Sequence, residues 1–200
     1  MNYPEHLREI FDKLKNGYHI SPDDDVIYAA LNSERFDDYA DYFAGLGFTL
    51  HKHEHDFFYF EPEAEDTESP RLAKIAVFSF ILIDHIANRG LPVEPTLFSE
   101  TFTFRGLPHF TTLESYQARL EQVGITDYAG LRDVIHSLKN VGWAKWVAED
   151  EFRFLRPFHR MLSKCLELAE QSGKATTEVS PIQTAGLSAA APKKEGETNA

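Results

Sequence analysis

The sequence predicts a mostly helical protein with two small β-hairpins, built as two copies of one plan. Apolar residues at helical spacing precede each of two hairpin-like runs, and these runs align without a gap at an offset of 95 residues. An acidic stretch, EAEDTESP, separates the copies. The 200-residue chain is 42% hydrophobic and contains 16 Phe, 8 Tyr and 2 Trp. It can therefore build a substantial core, which excludes a wholly disordered protein.

The first copy begins with three short predicted helices. The first carries apolar residues at i, i+3, i+4 and i+7, namely Leu7, Ile10, Phe11 and Leu14. Residues 24–31 predict a second helix, and Ser33 can cap a third. The inner face of the third helix is predicted to consist of Phe36, Tyr39, Ala40 and Phe43. The run FTLHKHEHDFFYFEP then predicts a hairpin that ends at Pro62.

The second copy begins with a long helix over residues 71–89, followed by a short helix over residues 96–101. Two amphipathic helices follow, with apolar positions at Leu113, Tyr116, Leu120 and Val123 in one and at Leu131, Val134, Ile135 and Leu138 in the other. A hairpin over residues 142–157 and a closing helix over residues 158–171 complete the copy. The long helix is apolar almost all round, so it lies at the centre of the core or packs across a homodimer.

The alignment of the two copies predicts the fold. Gly47 aligns with Gly142 and Pro62 with Pro157, and the register continues upstream through the preceding helix. Three helices followed by a hairpin form the winged-helix plan, so the predicted fold is a pair of tandem winged-helix domains of the α+β class. The predicted boundaries are 1–62 for the N-terminal domain, 63–70 for the acidic linker, 71–171 for the C-terminal domain and 172–200 for a disordered tail.

The net charge of −12 excludes a protein that coats nucleic acid in general, because phosphate binding needs clustered Lys and Arg. The third helix of the first copy places four acids on its outer surface, at Glu34, Asp37, Asp38 and Asp41. A winged helix reads DNA with this helix, so the first copy is predicted not to bind DNA. The second copy carries a modest basic patch, formed by Arg132, Lys139, Lys145, Arg153, Arg156, Arg160 and Lys164. Interspersed acids make any DNA contact there weak and salt-sensitive.

The hairpins suggest a protein-binding surface. In the strand FFYF both faces are apolar, although a small wing has only one core to cover. Phe58, Phe60 and Trp146 are therefore candidates for contacts with a protein partner. The alternative is that flanking helices or the linker cover the second face.

No catalytic or metal motif is visible in the sequence. His51, His53 and His55 alternate along one strand, but they run into a turn where the side chains would splay, so an exposed polar strand is favoured over a metal site. Cys165 lies on the apolar face of the last helix and is interpreted as buried packing. Phosphate-binding and nucleophile-elbow motifs are absent. The sequence predicts a cytoplasmic protein that is not an enzyme and needs no cofactor.

Two stretches carry a family resemblance. GYHISPDDDVIYAALNSERFDDYADYFAGLGFTLHKHEHDFFYFEP and VIHSLKNVGWAKWVAEDEFRFLRP resemble the MukE and MksE family of accessory subunits of bacterial SMC condensins. The resemblance covers roughly residues 5–170, and the chain length fits MksE better. It implies a homodimer that binds the kleisin subunit (MksF or MukF) and, through it, the SMC ATPase (MksB or MukB). ATP hydrolysis would belong to the SMC partner.

The resemblance also implies where DNA would touch the chain. The matching positions are Lys139, Asn140, Lys145 and Arg153, and the basic patch adds Arg156. Asn140 departs from the more basic family pattern, which implies weak and non-specific contact. The implied roles are chromosome condensation and segregation at the nucleoid, or plasmid defence. The alternative is a dimeric winged-helix transcription regulator that uses only its C-terminal domain on DNA.

Overall fold

The computed structural model describes residues 4–61, 69–107 and 114–177, with side chains omitted at residues 115 and 169–177. Most of the predicted linker and tail, residues 62–68 and 178–200, lies outside the described residues. Among the described residues, no helix is long and apolar enough to cross a membrane.

The first half of the chain contains three helices and a hairpin. Its elements are α1 (Leu7–Lys15), α2 (Asp25–Leu31), α3 (Phe36–Ala44), β1 (Leu50–His53) and β2 (Phe57–Phe60). Strands β1 and β2 pair antiparallel, with Leu50 opposite Phe60 and His53 opposite Phe57. The apolar stripes of the helices and one face of β2 enclose a core, built from Ile10, Leu14, Ile20, Ile27, Leu31, Tyr39, Phe43, Leu50 and Phe58. The helices and hairpin predicted for this half are confirmed.

The second half contains five helices and a three-stranded sheet. Its elements are α4 (Pro70–Asn88), α5 (Val93–Ser99), β3 (Phe102–Thr103), α6 (Glu114–Gln122), α7 (Tyr128–Asn140), β4 (Ala144–Ala148), β5 (Glu151–Phe154) and α8 (His159–Thr177). The sheet order is β3-β5-β4, and both pairs are antiparallel. The predicted hairpin and helices are confirmed, although α5 begins and ends earlier than the predicted 96–101. The predicted apolar position Leu113 lies outside the described residues, and the two-residue strand β3 was not predicted.

Helix α4 occupies the centre of the second core. The side chains of Ile75, Phe78, Ile81 and Leu82 are almost fully buried on it. The sequence predicted that this helix lies at the centre of the core or packs across a homodimer, and the central core position is the one observed. Helix α8 extends to Thr177, six residues beyond residue 171, the predicted end of the C-terminal domain.

Apart from α5, which the second half adds after its first helix, both halves follow the order of helix, short extended segment, two helices and hairpin. In the first half the extended segment is a single antiparallel bridge between Ile20 and Phe58. In the second half it is β3, which pairs with β5. Gly47 and Gly142, aligned by the sequence repeat, both have a positive φ, at 87° and 74°. Such a φ favours glycine because a Cβ clashes with the backbone there.

Candidate interaction surface at the junction of the two halves

The two halves meet where the segment before α2 crosses the turn between α7 and β4. The backbone N–H of His19 donates to the carbonyl oxygen of Val141 at 3.0 Å. The approach is so close that a Cβ on Gly142 would lie 2.5 Å from the carbonyl oxygen of His19 and 3.0 Å from the Tyr18 ring. Two features thus require glycine at position 142: the positive φ and the close approach of the His19 carbonyl oxygen.

The His19 side chain is buried at this crossing. Its Nε2 lies 2.8 Å from an Arg160 guanidinium nitrogen, and its Nδ1 lies 3.2 Å from the Val141 carbonyl oxygen. Arginine can only donate, so Nε2 accepts from Arg160. The indole Nε1–H of Trp143 points at Nδ1 from 3.2 Å, on the same side of the ring as the Val141 carbonyl contact. Burial and the Arg160 charge lower the pKa of His19 to about 3. The ring is therefore neutral near pH 7.

Acids of the first half pair with bases on the second hairpin. One oxygen of Asp23 accepts from Lys145 and from Arg153, each at 2.5 Å. Burial opposes ionisation of Asp23, but these two cations outweigh it and lower its pKa below the usual range. Arg156 donates to Asp56 at 3.0 Å. We call the contacts of Asp23 and Asp56 with these three cations the acid–base clasp.

A ladder of stacked rings also crosses the junction. The rings of His55 and His159 are parallel, with centroids 3.6 Å apart, and Phe98 covers the other side of His159 at 3.8 Å. His53 extends the ladder towards Phe57, with centroids 4.3 Å apart. Burial and the neighbouring His55 lower the pKa of His159 to about 4. His159 thus packs as a neutral aromatic ring.

This ladder corrects one prediction. His51, His53 and His55 are all half-buried, and the rings of His53 and His55 stack at 5.4 Å instead of splaying. The prediction of an exposed polar strand is wrong because the second half covers this face of the hairpin. Among the described residues, no group of three or more His, Cys, Asp or Glu could hold a metal ion.

The prediction of an exposed Phe58 is also wrong. Its side chain is 0% exposed and packs in the first core beside the rings of Tyr28 and Phe36, with centroids 5.7 Å away in each case. Phe58 therefore cannot contact a partner directly. The opposite face of the strand, with Phe57 and Tyr59, faces the junction, where Arg160 lies 4.2 Å from the Tyr59 ring centroid. Both apolar faces are accounted for within the chain.

The other two candidate partner residues are half-buried. Phe60 stacks on Phe48 with centroids 5.0 Å apart, at the edge of the first core. Trp146 packs edge-on against Phe152, with centroids 5.9 Å apart. Its Nε1–H is buried and has no hydrogen-bond partner among the described residues.

The five candidate DNA-contacting residues divide into two sets. Lys145, Arg153 and Arg156 belong to the acid–base clasp. Lys139 and Asn140 are exposed at the end of α7. The clasp therefore engages three of the four cations in this candidate site with two carboxylates.

Sequence reasoning missed Asp23, Asp56, His19, His159 and Arg160 as junction residues. Their contacts join residues that are about a hundred or more positions apart in the sequence, and local sequence patterns do not predict such pairings. The one available signal was charge: residues 1–62 contain 13 acids and 5 bases, whereas Lys145, Arg153 and Arg156 lie in the second half, whose hairpin has no net charge.

The neutral histidines make the stability of the chain pH-dependent. His19 and His159 have an ordinary pKa of 6.5 and folded values of about 3 and about 4, so the unfolded chain binds more protons below pH 6.5. The free energy of unfolding is expected to fall as the pH drops from 6.5 towards 4. The slope is about 1.4 kcal/mol per pH unit for each fully titrating histidine.

Urea titrations at several pH values check this expectation. His159→Gln should flatten the slope between pH 6.5 and 4, whereas the control His136→Gln, at an exposed position, should leave it unchanged. Equal slopes in wild type and His159→Gln would show that the histidine ladder is not the cause.

One family model matches the chain. It describes a condensin complex protein, MksE, and matches residues 5–166, which include both halves and the junction. Comparison with curated proteins finds no match.

Proposed function

The chain belongs to the MksE family of condensin complex proteins, and we propose on this basis that it is a non-enzymatic accessory subunit that binds the kleisin of a bacterial SMC complex. The observation that carries the proposal is the family match over residues 5–166. Through the kleisin (MksF- or MukF-like), the chain would join an SMC ATPase (MksB- or MukB-like), which hydrolyses ATP. The complex would act at the nucleoid in the cytoplasm, in chromosome condensation and segregation or in plasmid defence.

The architecture supports a protein-binding role. We propose that both halves are winged-helix units, because they share the order of helix, extended segment, two helices and hairpin, with α5 as an addition in the second half. In the first half, α3 is the helix that would enter a DNA groove. The acids Asp37, Asp38 and Asp41 are exposed on it, and they would repel phosphates. This unit is better suited to a protein partner, and Phe60 and Trp146 remain proposed contacts.

Affinity purification of the tagged chain from its own host tests the kleisin proposal. At moderate salt and with nuclease present, mass spectrometry is expected to recover a kleisin and a long coiled-coil SMC ATPase. Recovery of the chain alone would contradict the proposal. Binding to a defined operator in the presence of competitor DNA would instead favour a transcription regulator.

We further propose that the chain is a homodimer. Sedimentation equilibrium of the purified chain should give twice the 22.8 kDa of one copy. A mass of one copy over the whole concentration range would refute this proposal.

Any DNA contact is proposed to be weak and non-specific, because the acid–base clasp competes with phosphates for Lys145, Arg153 and Arg156. The double variant Asp23→Asn with Asp56→Asn releases these cations. Its affinity for a short DNA duplex at low salt should rise roughly tenfold, and up to three added phosphate contacts should steepen the slope of log K against log salt by up to about 2.7.

Fluorescence anisotropy between about 50 and 200 mM salt measures both quantities. The matched control is Asp37→Asn with Asp41→Asn, which removes the same charge from the exposed surface of α3. Equal gains in the two double variants would mean that net charge, and not release of the clasp, governs DNA affinity.

A further inference from the structure

An apolar groove opens on the side of the second half, between α4, α6 and α8. Its volume is about 760 Å³. The lining side chains are Leu72, Ala73, Ala76, Val77 and Phe80 of α4, Arg119 and Gln122 of α6, and Met161, Lys164, Cys165 and Leu168 of α8. We refer to it as the α4–α6–α8 groove.

The groove leaves large apolar side chains uncovered. Leu72 is 41% exposed, Phe80 38% and Leu168 53%. The apolar stripe on α4 extends over the eight residue steps from Leu72 to Phe80, which is about 12 Å at 1.5 Å per residue. This length matches the span of two helical turns that present apolar anchors at i, i+3 or i+4, and i+7.

The charges that line the groove are both positive, although the chain has a net charge of −12. Arg119 lies over the Phe80 ring, with its guanidinium carbon 5.4 Å from the centroid. Lys164 is on the opposite wall and pairs with Glu167 of its own helix at 3.5 Å. At the floor, burial raises the pKa of the Cys165 thiol to about 11, so Cys165 adds no charge near pH 7.

This combination points to one occupant. We propose that the α4–α6–α8 groove binds an amphipathic helix of another protein. The apolar side chains of that helix would pack on Leu72, Leu168 and Phe80, and its acidic side chains would lie beside Arg119 and Lys164. The inference rests on the proposed function, since it assigns the helix to another subunit of the same complex.

Other occupants fit the groove less well. A second copy packed groove to groove would add a second Arg119 and Lys164 and no acidic lining residue, so the charges of the two grooves are not complementary. The linker sequence at residues 62–68 contains no large apolar side chain that could fill the groove. The sequence beyond residue 177 has no aromatic residue, and its three acids are nearly balanced by two lysines.

Site-specific photocrosslinking in the full chain, expressed in its own host, tests the inference. The probe p-benzoylphenylalanine replaces Phe80 or, as a second position, Leu72. The control replaces Val147, which is 46% exposed on β4 and outside the groove. Mass spectrometry of the crosslinked peptide from position 80 or 72 should identify a segment of another protein with net negative charge and apolar residues at i, i+3 or i+4, and i+7.

Charge reversal sharpens the test. Arg119→Glu with Lys164→Glu should reduce the crosslink yield at least about tenfold, equivalent to about 1.4 kcal/mol of binding free energy. Arg8→Glu with Lys15→Glu, two exposed positions on α1, should leave the yield unchanged. Crosslinks to this chain itself, or none above the Val147 control at either groove position, would overturn the inference. If the wild-type chain still captures kleisin when the groove gives no such crosslink, the proposed function holds and only the assignment of the groove is wrong.

Discussion

The Phe58→Ala variant is expected to lose about 3–5 kcal/mol of the free energy of unfolding, as buried phenylalanines do when they are truncated. The Phe58 side chain is 0% exposed and lies in the first core. Truncation removes its apolar contacts and leaves a cavity that close-packed neighbours fill only in part. Urea unfolding followed by circular dichroism measures the loss.

Two further variants serve as controls for Phe58→Ala. Phe58→Leu restores much of the volume and should lose less than about 1.5 kcal/mol. Phe60→Ala should lose less than Phe58→Ala because Phe60 is only half-buried. A Phe58→Ala variant as stable as wild type would contradict the assignment of Phe58 to the core.

The Gly142→Ala variant is expected to lose about 2–5 kcal/mol of the free energy of unfolding, as the sum of two effects. An alanine at the φ of 74° costs about 1–2 kcal/mol. Its Cβ would also lie 2.5 Å from the His19 carbonyl oxygen, so the two halves must move apart, with an overpacking penalty of about 1–3 kcal/mol.

The sequence repeat provides a matched control for this substitution. Gly47 has a φ of 87°, but a Cβ there would meet nothing within 4 Å. Gly47→Ala should therefore lose only the conformational part, about 1–2 kcal/mol. Equal losses at the two glycines, measured by urea unfolding, would show that the close approach at the junction contributes nothing to stability.

Local patterns were sufficient to predict most elements of the fold. Apolar spacing located the helices, and Gly47 and Gly142, which the repeat aligns, share a positive φ. The interpretation of Cys165 as a buried packing residue also agrees with its exposed fraction of 6%. These features depend on residues close in sequence, where periodicity and backbone sterics leave few choices.

The candidate site was predictable only in part, because it depends on contacts between distant segments. The alternation in FFYF indicated two apolar faces and left open whether a partner or the chain itself covers the second one. It could not reveal that Phe58 faces its own core while Tyr59 faces the second half. The basic residues Lys145 and Arg153 were visible, whereas their pairing with Asp23 was not. A pairing across more than a hundred residues is set by how the two halves pack.

The most direct test of the kleisin proposal is sedimentation velocity of the purified chain mixed with the purified kleisin from the same host. We expect a new, faster boundary that contains both proteins and persists at moderate salt, because the groove and half-buried aromatic contacts are largely apolar. Two boundaries that sediment as they do separately, at every mixing ratio, would contradict the account.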